Sequence, residues 1–258
     1  MAANTGKEII LITGATNGIG LDSVVYIASA SPSYHVIIGA RNLSKGETVL
    51  KSVQAKPGLQ GTVSLVHIDA TDDASIQAAA KTVEQEFGHL DVLVNNAGIC
   101  PERPERDGRW TDREKLRDIF DTNVSGPTII ATTFLPLLKK SSNPRIINIT
   151  SGLGSIGTMS NHGEWPAPVQ YPGYRMSKAA LNMLTAYQWY QLKPEGFKIW
   201  TYCPGYVATD LTDNREERVK TGADSSETSA KGLLEIIQGE RDADVGGYIG
   251  RNGLKHPW

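Results

Sequence analysis

Six short apolar runs recur along this chain, each bounded by turn residues and separated by helical stretches. They fall at residues 8–13, 35–39, 62–68, 90–95, 145–150 and 197–203. Runs this short and this continuously apolar suit strands covered on both faces of a parallel sheet. The helical segments between them read as 19–30, 74–87 and 111–125. The second follows Asp72-Asp73, a residue pair suited to an N-cap, and the third carries apolar Leu116, Ile119, Phe120 and Val124. Repeated βα units of this length argue for a doubly wound α/β domain. No linker, low-complexity tract or internal repeat divides the 258 residues, so a single domain over 1–258 is expected.

Composition narrows the functional classes. Hydrophobic residues make up 40% and charged residues 21%, an ordinary globule with a sizeable core. A formal net charge of −2 gives no sign of a polyanionic partner, and nucleic acid is not expected. Two cysteines, Cys100 and Cys203, and five scattered histidines lack motif spacing, which argues against a disulfide framework and a metal site. Residues 1–8 are short and polar and the run 9–12 is too brief for a signal or membrane segment, so the expected location is cytoplasmic.

The first strand runs into Thr13-Gly14-Ala15-Thr16-Asn17-Gly18-Ile19-Gly20 and then into an amphipathic helix. Glycines allow a tight turn and close backbone approach, and the helix N-terminus offers free N–H groups and positive potential to a pyrophosphate. The spacing differs from G-x-G-x-x-G, with three residues between the first two glycines. In the NAD version of such a site an acidic residue ends the second strand and accepts from the adenosine ribose. Here the strand ends Gly39-Ala40-Arg41-Asn42, without a carboxylate. A guanidinium at Arg41 could clamp a 2′-phosphate, which favours NADP(H) over NAD(H). Arg41 as a solvent-facing side chain is the alternative, but it leaves the missing acid unexplained.

Tyr174 and Lys178 are four residues apart and would share one helix face. A nearby cation favours ionisation of a phenol, which would give a general acid or base usable at neutral pH. Two segments interrupt the βα rhythm. Residues 100–109 are charged and proline-rich, and residues 152–173 hold five glycines and three prolines together with Trp165 and Tyr171. Both follow strands, at the carboxyl ends where open α/β sheets bind ligands.

In their order, the stretch Thr13 to Gly20, Asp69, Asn95-Asn96-Ala97-Gly98, Asn123, Ser151, Tyr174-x-x-x-Lys178, and Pro204-Gly205 with Val207 and Thr209 resemble the short-chain dehydrogenase/reductase family over nearly the whole chain. The resemblance implies a Rossmann fold, a doubly wound and mostly parallel seven-stranded sheet with helices on both faces. It implies Tyr174 as proton donor or acceptor at the substrate oxygen. Lys178 would stabilise the phenolate and bond the nicotinamide ribose. Ser151 would orient the substrate oxygen, and Asn123 would hold a water linking Lys178 to solvent. Gly14, Thr16, Asn17, Gly18, Ile19 and Gly20 would cradle the pyrophosphate, and Asp69 with Ala70 would meet the adenine. Asn96, Ala97 and Gly98 would lie against the adenosine ribose, and Pro204, Gly205, Val207 and Thr209 would hold the carboxamide side of the nicotinamide.

The pattern departs from the family in places. Ser151 stands 23 residues before Tyr174, a long gap, so Ser155 competes for the serine role. Tyr171 competes for the phenol, but four residues on it meets Arg175. Asp69 has the alternative of a helix N-cap. Asn17 stands where many NADP-preferring relatives carry a basic residue. Trp165, Tyr171, Tyr206 and Cys100, with His162 and Glu164 as polar handles, would border a pocket for a small carbonyl or alcohol substrate, an aromatic one included. Residues 210–226 would form a mobile lid.

In style the chain is loosely similar to ketoreductases of polyketide and other secondary-metabolite pathways, the norsolorinic-acid ketoreductases among them, and to broad carbonyl reductases. An NADP(H)-dependent carbonyl reductase is the leading expectation. A non-redox dehydratase, isomerase or cyclase and a non-catalytic dinucleotide-binding protein are the alternatives. Tyr187, Trp189, Tyr190 and Leu192 make the helix after Lys178 aromatic-rich, as in a homodimer or homotetramer interface, with apolar core as the competing role.

Overall fold

The structure, a computed structural model, describes residues 6–102, 111–161, 169–212 and 215–258. Seven strands form one sheet: β1 Glu8–Thr13, β2 Tyr34–Ala40, β3 Thr62–His67, β4 Val92–Asn95, β5 Arg145–Ile149, β6 Lys198–Cys203 and β7 Tyr248–Gly250. Their order is β3-β2-β1-β4-β5-β6-β7 and every pairing is parallel. The helices are α1 Gly18–Ala30, α2 Leu43–Gln54, α3 Asp73–Phe87, α4 Arg113–Phe120, α5 Gly126–Leu138, α6 Ile156–Ser160, α7 Pro172–Leu192, α8 Arg215–Lys220 and α9 Ser226–Ile237.

The period-two alternation of the strands sends their side chains to two cores. Ile10, Ile12, Val36, Ile38, Val92 and Val94 pack with Val24 and Ile27 of α1 and with Leu233 and Ile236 of α9. Ile9, Leu11, Ile37, Leu93 and Ile146 pack with Ile76 and Val83 of α3 and with Ile130 and Phe134 of α5. Because β2 and β4 flank β1 on opposite sides, the chain leaves the carboxyl edge of β1 and β4 in diverging directions. That divergence is the topological switch point, and it places the ligand crevice at Thr13 and Asn95.

Several elements differ from the sequence reading. Helix α2, which the sequence reading did not mark, sets Val49, Leu50 and Val53 against the core and carries a glycine inside it. It forms because Asn42 caps it, accepting from Lys45 N at 2.9 Å, and because Gly46 lets it press on Leu65 of β3. The expected helix over 111–125 starts at Arg113 behind the capping Asp112 and winds into a π-helical turn at Asp121–Ser125. It then continues as α5, where Gly126-Pro127 looks like a stop signal. Pro127 stands in the first turn of α5, directly behind the π-helical turn, and the run is helical straight through it. On α7, Trp189 and Leu192 turn inward and pack on the core, and only Tyr187 and Tyr190 of the four aromatic-stripe residues stay exposed.

Gly126 marks the junction that carries the π-turn. A Cβ there would lie 2.7 Å from both the Cβ and the carbonyl oxygen of Ala70, so the helix pair is seated directly on the exit of β3. Gly126→Ala is expected to destabilise the protein by about 1–3 kcal/mol, the cost of overpacking exceeding the gain in helix propensity. Urea denaturation measures it, and an unchanged midpoint would mean that the β3 exit yields freely.

Candidate active site

The glycine loop is held open by backbone that only glycine adopts easily. Gly14 and Gly18 have φ of 64° and 50°. A Cβ on Gly14 would lie 2.9 Å from Ala97 Cα, and one on Gly20 would lie 2.6 Å from Asn96 Nδ2 and from the Gly14 carbonyl oxygen. Thr13 Oγ1 accepts from the N–H groups of Asn96 and Ala97, both at 3.0 Å. Asn96 Nδ2 donates to the carbonyls of Thr13 at 2.9 Å and Gly14 at 3.2 Å. The loop and the β4 exit are therefore one stitched unit. Asn96, expected to lie against the ribose, spends both amide donors on the loop and shapes it from behind.

Asn17 stands at the N-cap of α1 without a side-chain cap, exposed, so Thr16, Asn17 and the first turn at Gly18-Ile19 present backbone donors to the crevice. The cradle of glycines and the uncapped N-terminus suit a dinucleotide pyrophosphate. At the β2 exit Ala40 is buried and Arg41 is exposed, its carbonyl bonded to His67 Nε2 at 3.0 Å. Asn42 is occupied in capping α2, which leaves Arg41 as the charged group at this edge. Asp69 Oδ1 accepts from the backbone N and the hydroxyl of Thr71, and its own N–H donates to Ser75 Oγ. The cap of α3 is Asp72, not Asp69. Ala70 is packed against Gly126.

Tyr174 and Lys178 lie on the first turns of α7, 7% and 4% exposed. The ammonium sits 5.6 Å from the Tyr174 ring centroid and donates to the Ile149 carbonyl at 2.8 Å. Burial pushes the Tyr174 phenol well above its ordinary value and Cys100 and Cys203 add to the rise, while Arg218 and a hydrogen bond with Ser151 pull it back. Desolvation of the charged form is the largest influence on the phenol and pushes it toward the protonated state, opposite to the ionisation expected from a nearby cation. Burial also pulls Lys178 down to about 8, against a smaller upward effect of the two cysteines.

Ser151 follows β5 and reaches Tyr174 with its side chain, while its Oγ also accepts from Leu153 N at 3.3 Å. Ser155 is committed elsewhere. Its hydroxyl donates to the Pro257 carbonyl at 2.6 Å and caps α6 by accepting from Thr158 N at 3.0 Å. Tyr171 is the N-cap residue of α7, outside the turn that carries Lys178.

Asn123 sits in the π-turn, 1% exposed. Its Oδ1 accepts from Ile99 N at 2.8 Å, and its amide donates to the Ile99 carbonyl at 2.9 Å and to Ser177 Oγ at 3.1 Å. Ser177 in turn donates to the Tyr174 carbonyl at 2.8 Å. No side-chain donor of Asn123 remains for the water expected on it; the residue ties the Gly98-Ile99 backbone to α7. Gly98 fits between them, a Cβ there lying 3.3 Å from Asn123 Oδ1 and 3.6 Å from Lys178 Nζ.

On the far side, Pro204 and Gly205 (φ 84°) turn the chain after β6, and Thr209 comes up to the glycine loop. The methyl of Thr209 lies 3.4 Å from the Cβ position of Gly18. Of residues 210–226, Asp210–Thr212 form a 3-10 turn, helix α8 follows from Arg215, and Asp224 forms a bridge with Val207. Tyr206 bonds Thr221 Oγ1 at 2.8 Å and lies under Arg218, whose Nη1 donates to the Val207 carbonyl. Cys100 is buried beside Tyr174 and Lys178. Of the segment 152–173, Gly152–Gly154 is a 3-10 turn and α6 follows; Trp165, His162 and Glu164 lie outside the described residues, as do 103–110. Among the described residues no group of three metal-ligating side chains occurs, and no helix is long and apolar enough to cross a membrane.

Asn182 and Glu102 have a part in this geometry that escapes sequence reading, and Thr13, named only as the head of the glycine stretch, has more of one than that reading gives it. Asn182 accepts from Thr150 Oγ1 at 2.6 Å and donates to the Gly154 carbonyl at 3.2 Å, fixing both sides of Ser151. It lies four residues after Lys178, so the same helical spacing that pairs Tyr174 with Lys178 extends to it. Thr13 carries a weaker signal, a hydroxyl at a strand end. Glu102, buried and bonded to the N–H groups of Gly173 and Tyr174, carries none, because its partners are more than 70 residues away.

The family model described as short chain dehydrogenase matches residues 8–220. The short-chain dehydrogenase/reductase tropE of Talaromyces stipitatus is 35% identical over 98% of this chain and 98% of its own length. The short-chain dehydrogenase/reductase eupG of a Phoma species is 35% identical over 92% of each. Among solved structures, an NADPH-bound carbonyl reductase from chicken fatty liver superposes with a TM-score of 0.80 at 29% identity, over 98% of this chain and 99% of that one. The parallel seven-stranded sheet and the matches over nearly its whole length agree: the chain belongs to the short-chain dehydrogenase family of oxidoreductases.

Proposed function

We propose that this protein is an NADP(H)-dependent carbonyl reductase or ketoreductase that moves a hydride between nicotinamide and a carbonyl or secondary alcohol, with Tyr174 as general acid. The observation that carries the reading is the convergence of a protonated buried phenol, the Ser151 hydroxyl and the Lys178 ammonium at the carboxyl edge of β5. The bound dinucleotide would supply the hydride. Tyr174 would give its proton to the carbonyl oxygen, and Ser151 would hold that oxygen as negative charge develops on it. Lys178 would stabilise the phenolate left behind. The chicken carbonyl reductase bears NADPH, which agrees with Arg41 standing where an acid would select NAD.

The cofactor would lie along Gly14, Thr16, Asn17, Gly18, Ile19 and Gly20, with the adenosine end near Arg41, Asp69, Ala70, Ala97 and Gly98. Pro204, Gly205, Val207 and Thr209 would hold its nicotinamide end. The region 210–226 would act as a lid, and the protein would work in the cytoplasm without a nucleic-acid or membrane partner. Met183, Tyr187 and Tyr190 on α7 are 70%, 61% and 75% exposed at helical spacing, an apolar face suited to a homodimer or homotetramer.

With a carbonyl substrate and NADPH, Tyr174→Phe is expected to lower kcat by about 10³-fold or more, the scale of a lost general acid. Spectrophotometric NADPH consumption measures this, and retained turnover would remove the phenol from the chemistry. Arg41→Ala should raise the KM for NADPH roughly tenfold or more, the worth of one charge-assisted contact, and leave that for NADH nearly unchanged. An equal effect on both cofactors would place Arg41 outside the 2′-phosphate site. Lys178, held down by burial, keeps its charge below about pH 8 and loses it above. The kcat for reduction should therefore fall as pH rises through about 8, and a flat profile well beyond that value would contradict it.

A further inference from the structure

Helix α7 carries Tyr174 in its first turn, and the free amides of that turn are held from outside the helix. Pro172 opens the helix without an N–H, and Tyr171 before it makes no side-chain cap. The N–H groups of Gly173 and Tyr174 are instead taken by one carboxylate from a distant segment. Glu102 Oε1 accepts from Gly173 N and Oε2 from Tyr174 N, each at 2.8 Å. Glu102 is 1% exposed. Gly173 leaves the space it needs, since a Cβ there would lie 3.1 Å from Oε1 and from the side chains of Ile119 and Leu116.

A carboxylate is favoured at a helix N-terminus by the helix dipole. A serine or aspartate at the N-cap would have met that need locally. What a local cap cannot do is fix the helix relative to another element. Glu102 lies three residues beyond Ile99, whose N–H and carbonyl are clamped by Asn123, and Asn123 reaches Ser177 on the same helix. The β4 exit thus holds α7 at two levels: Glu102 at the amides of Gly173 and Tyr174, and Asn123 one turn further on. Two bonds from one rigid carboxylate to successive amides leave the Tyr174 Cα little rotation.

We propose that Glu102 is a positioning residue for the proton donor, setting the height and direction of the Tyr174 phenol against Ser151 and Lys178. The proposal rests on the reading of Tyr174 as general acid. A buried carboxylate gripping two backbone amides acts on alignment, so its loss should appear in kcat and leave substrate and cofactor binding in place.

The test uses the full chain, with Glu102→Gln as the near-isosteric variant and Glu102→Ala as the severe one. Misplacement of a reacting group by about 1 Å costs on the order of 10²-fold, so kcat should fall roughly tenfold in the Gln variant and about a hundredfold in the Ala variant. KM and the NADPH dissociation constant should stay within about twofold, the split that marks a loss confined to the transition state. The primary isotope effect with 4-deuterated NADPH should rise, which a general loss of stability would not produce. Hydrogen–deuterium exchange over residues 172–178 should quicken in both variants.

Folded variants that keep wild-type kcat and isotope effect would overturn the proposal. So would a loss confined to KM or to NADPH binding. Should the Ala variant fail to fold, the Gln variant decides. Should the wild type reduce no carbonyl, the function reading fails by itself, and the exchange measurement still judges the grip: unchanged protection at residues 173 and 174 would sink it.

Discussion

The tie between the first glycine loop and the exit of β4 is what the remaining geometry depends on. In a parallel sheet whose order reverses beside β1, two chain exits diverge and leave a crevice with polar backbone on both walls. Such a crevice closes or frays unless its walls are fixed. Thr13 Oγ1 accepts from two N–H groups of the opposite wall, and Asn96 returns two bonds to the loop carbonyls. Four hydrogen bonds in a buried place satisfy groups that would each cost about 1–3 kcal/mol if left unmade. With the walls set, neither Gly14 nor Gly20 has room for a side chain, since a Cβ on either would strike the opposite wall.

A second polar frame runs behind the phenol. Asn123 links Ile99 to Ser177, Ser177 holds the Tyr174 carbonyl, and Asn182 links Thr150 to Gly154. Deeper still, Asn95 and Asn148 pair across β4 and β5, and Asn148 reaches Thr185 and Gln188 of α7. A helix on a sheet could have been seated by apolar packing alone. Directional bonds instead fix its rotation and its position along its own axis, and the orientation of a side chain in its first turn needs both. Asn95 Oδ1 remains buried without a partner, and nothing in the structure explains it.

How far the molecule was legible follows from the range of each signal. Strand runs and the Tyr174–Lys178 spacing are local patterns, so the sheet and the pair were readable from a few residues at a time. The helix 126–138 was not, because Gly126-Pro127 is a stop signal in isolation. Only the packing of Gly126 on Ala70 shows why the chain continues. Asn123 was identified, but its clamp on Ile99 from within a π-turn was not, since both are tertiary facts. Trp189 stood between an interface and the apolar core on its sequence; its ring faces Gly246, a contact 57 residues distant that no local window contains. Glu102 is the extreme case, a cap with no trace near the helix it caps.

Burial, usually counted as a cost for ionisable groups, acts here in two directions at once. It raises the Tyr174 phenol and lowers the Lys178 ammonium, because in each case it disfavours the charged form. Had both groups shifted far, the site would hold two neutral groups at physiological pH and no electrostatic partner for a developing phenolate. Lys178 escapes that outcome because it falls only to about 8, with its ammonium fixed on the Ile149 carbonyl, a bond made to the charged form. Near neutrality the pair is therefore held toward a protonated phenol beside a standing cation, the state that the proposed proton delivery to a carbonyl oxygen would require. Were Tyr174 to give up that proton, the phenolate would face the cation within a buried site, where the attraction exceeds its value at a surface. The same low-dielectric setting that keeps the proton on Tyr174 thus strengthens the stabilisation available after it leaves.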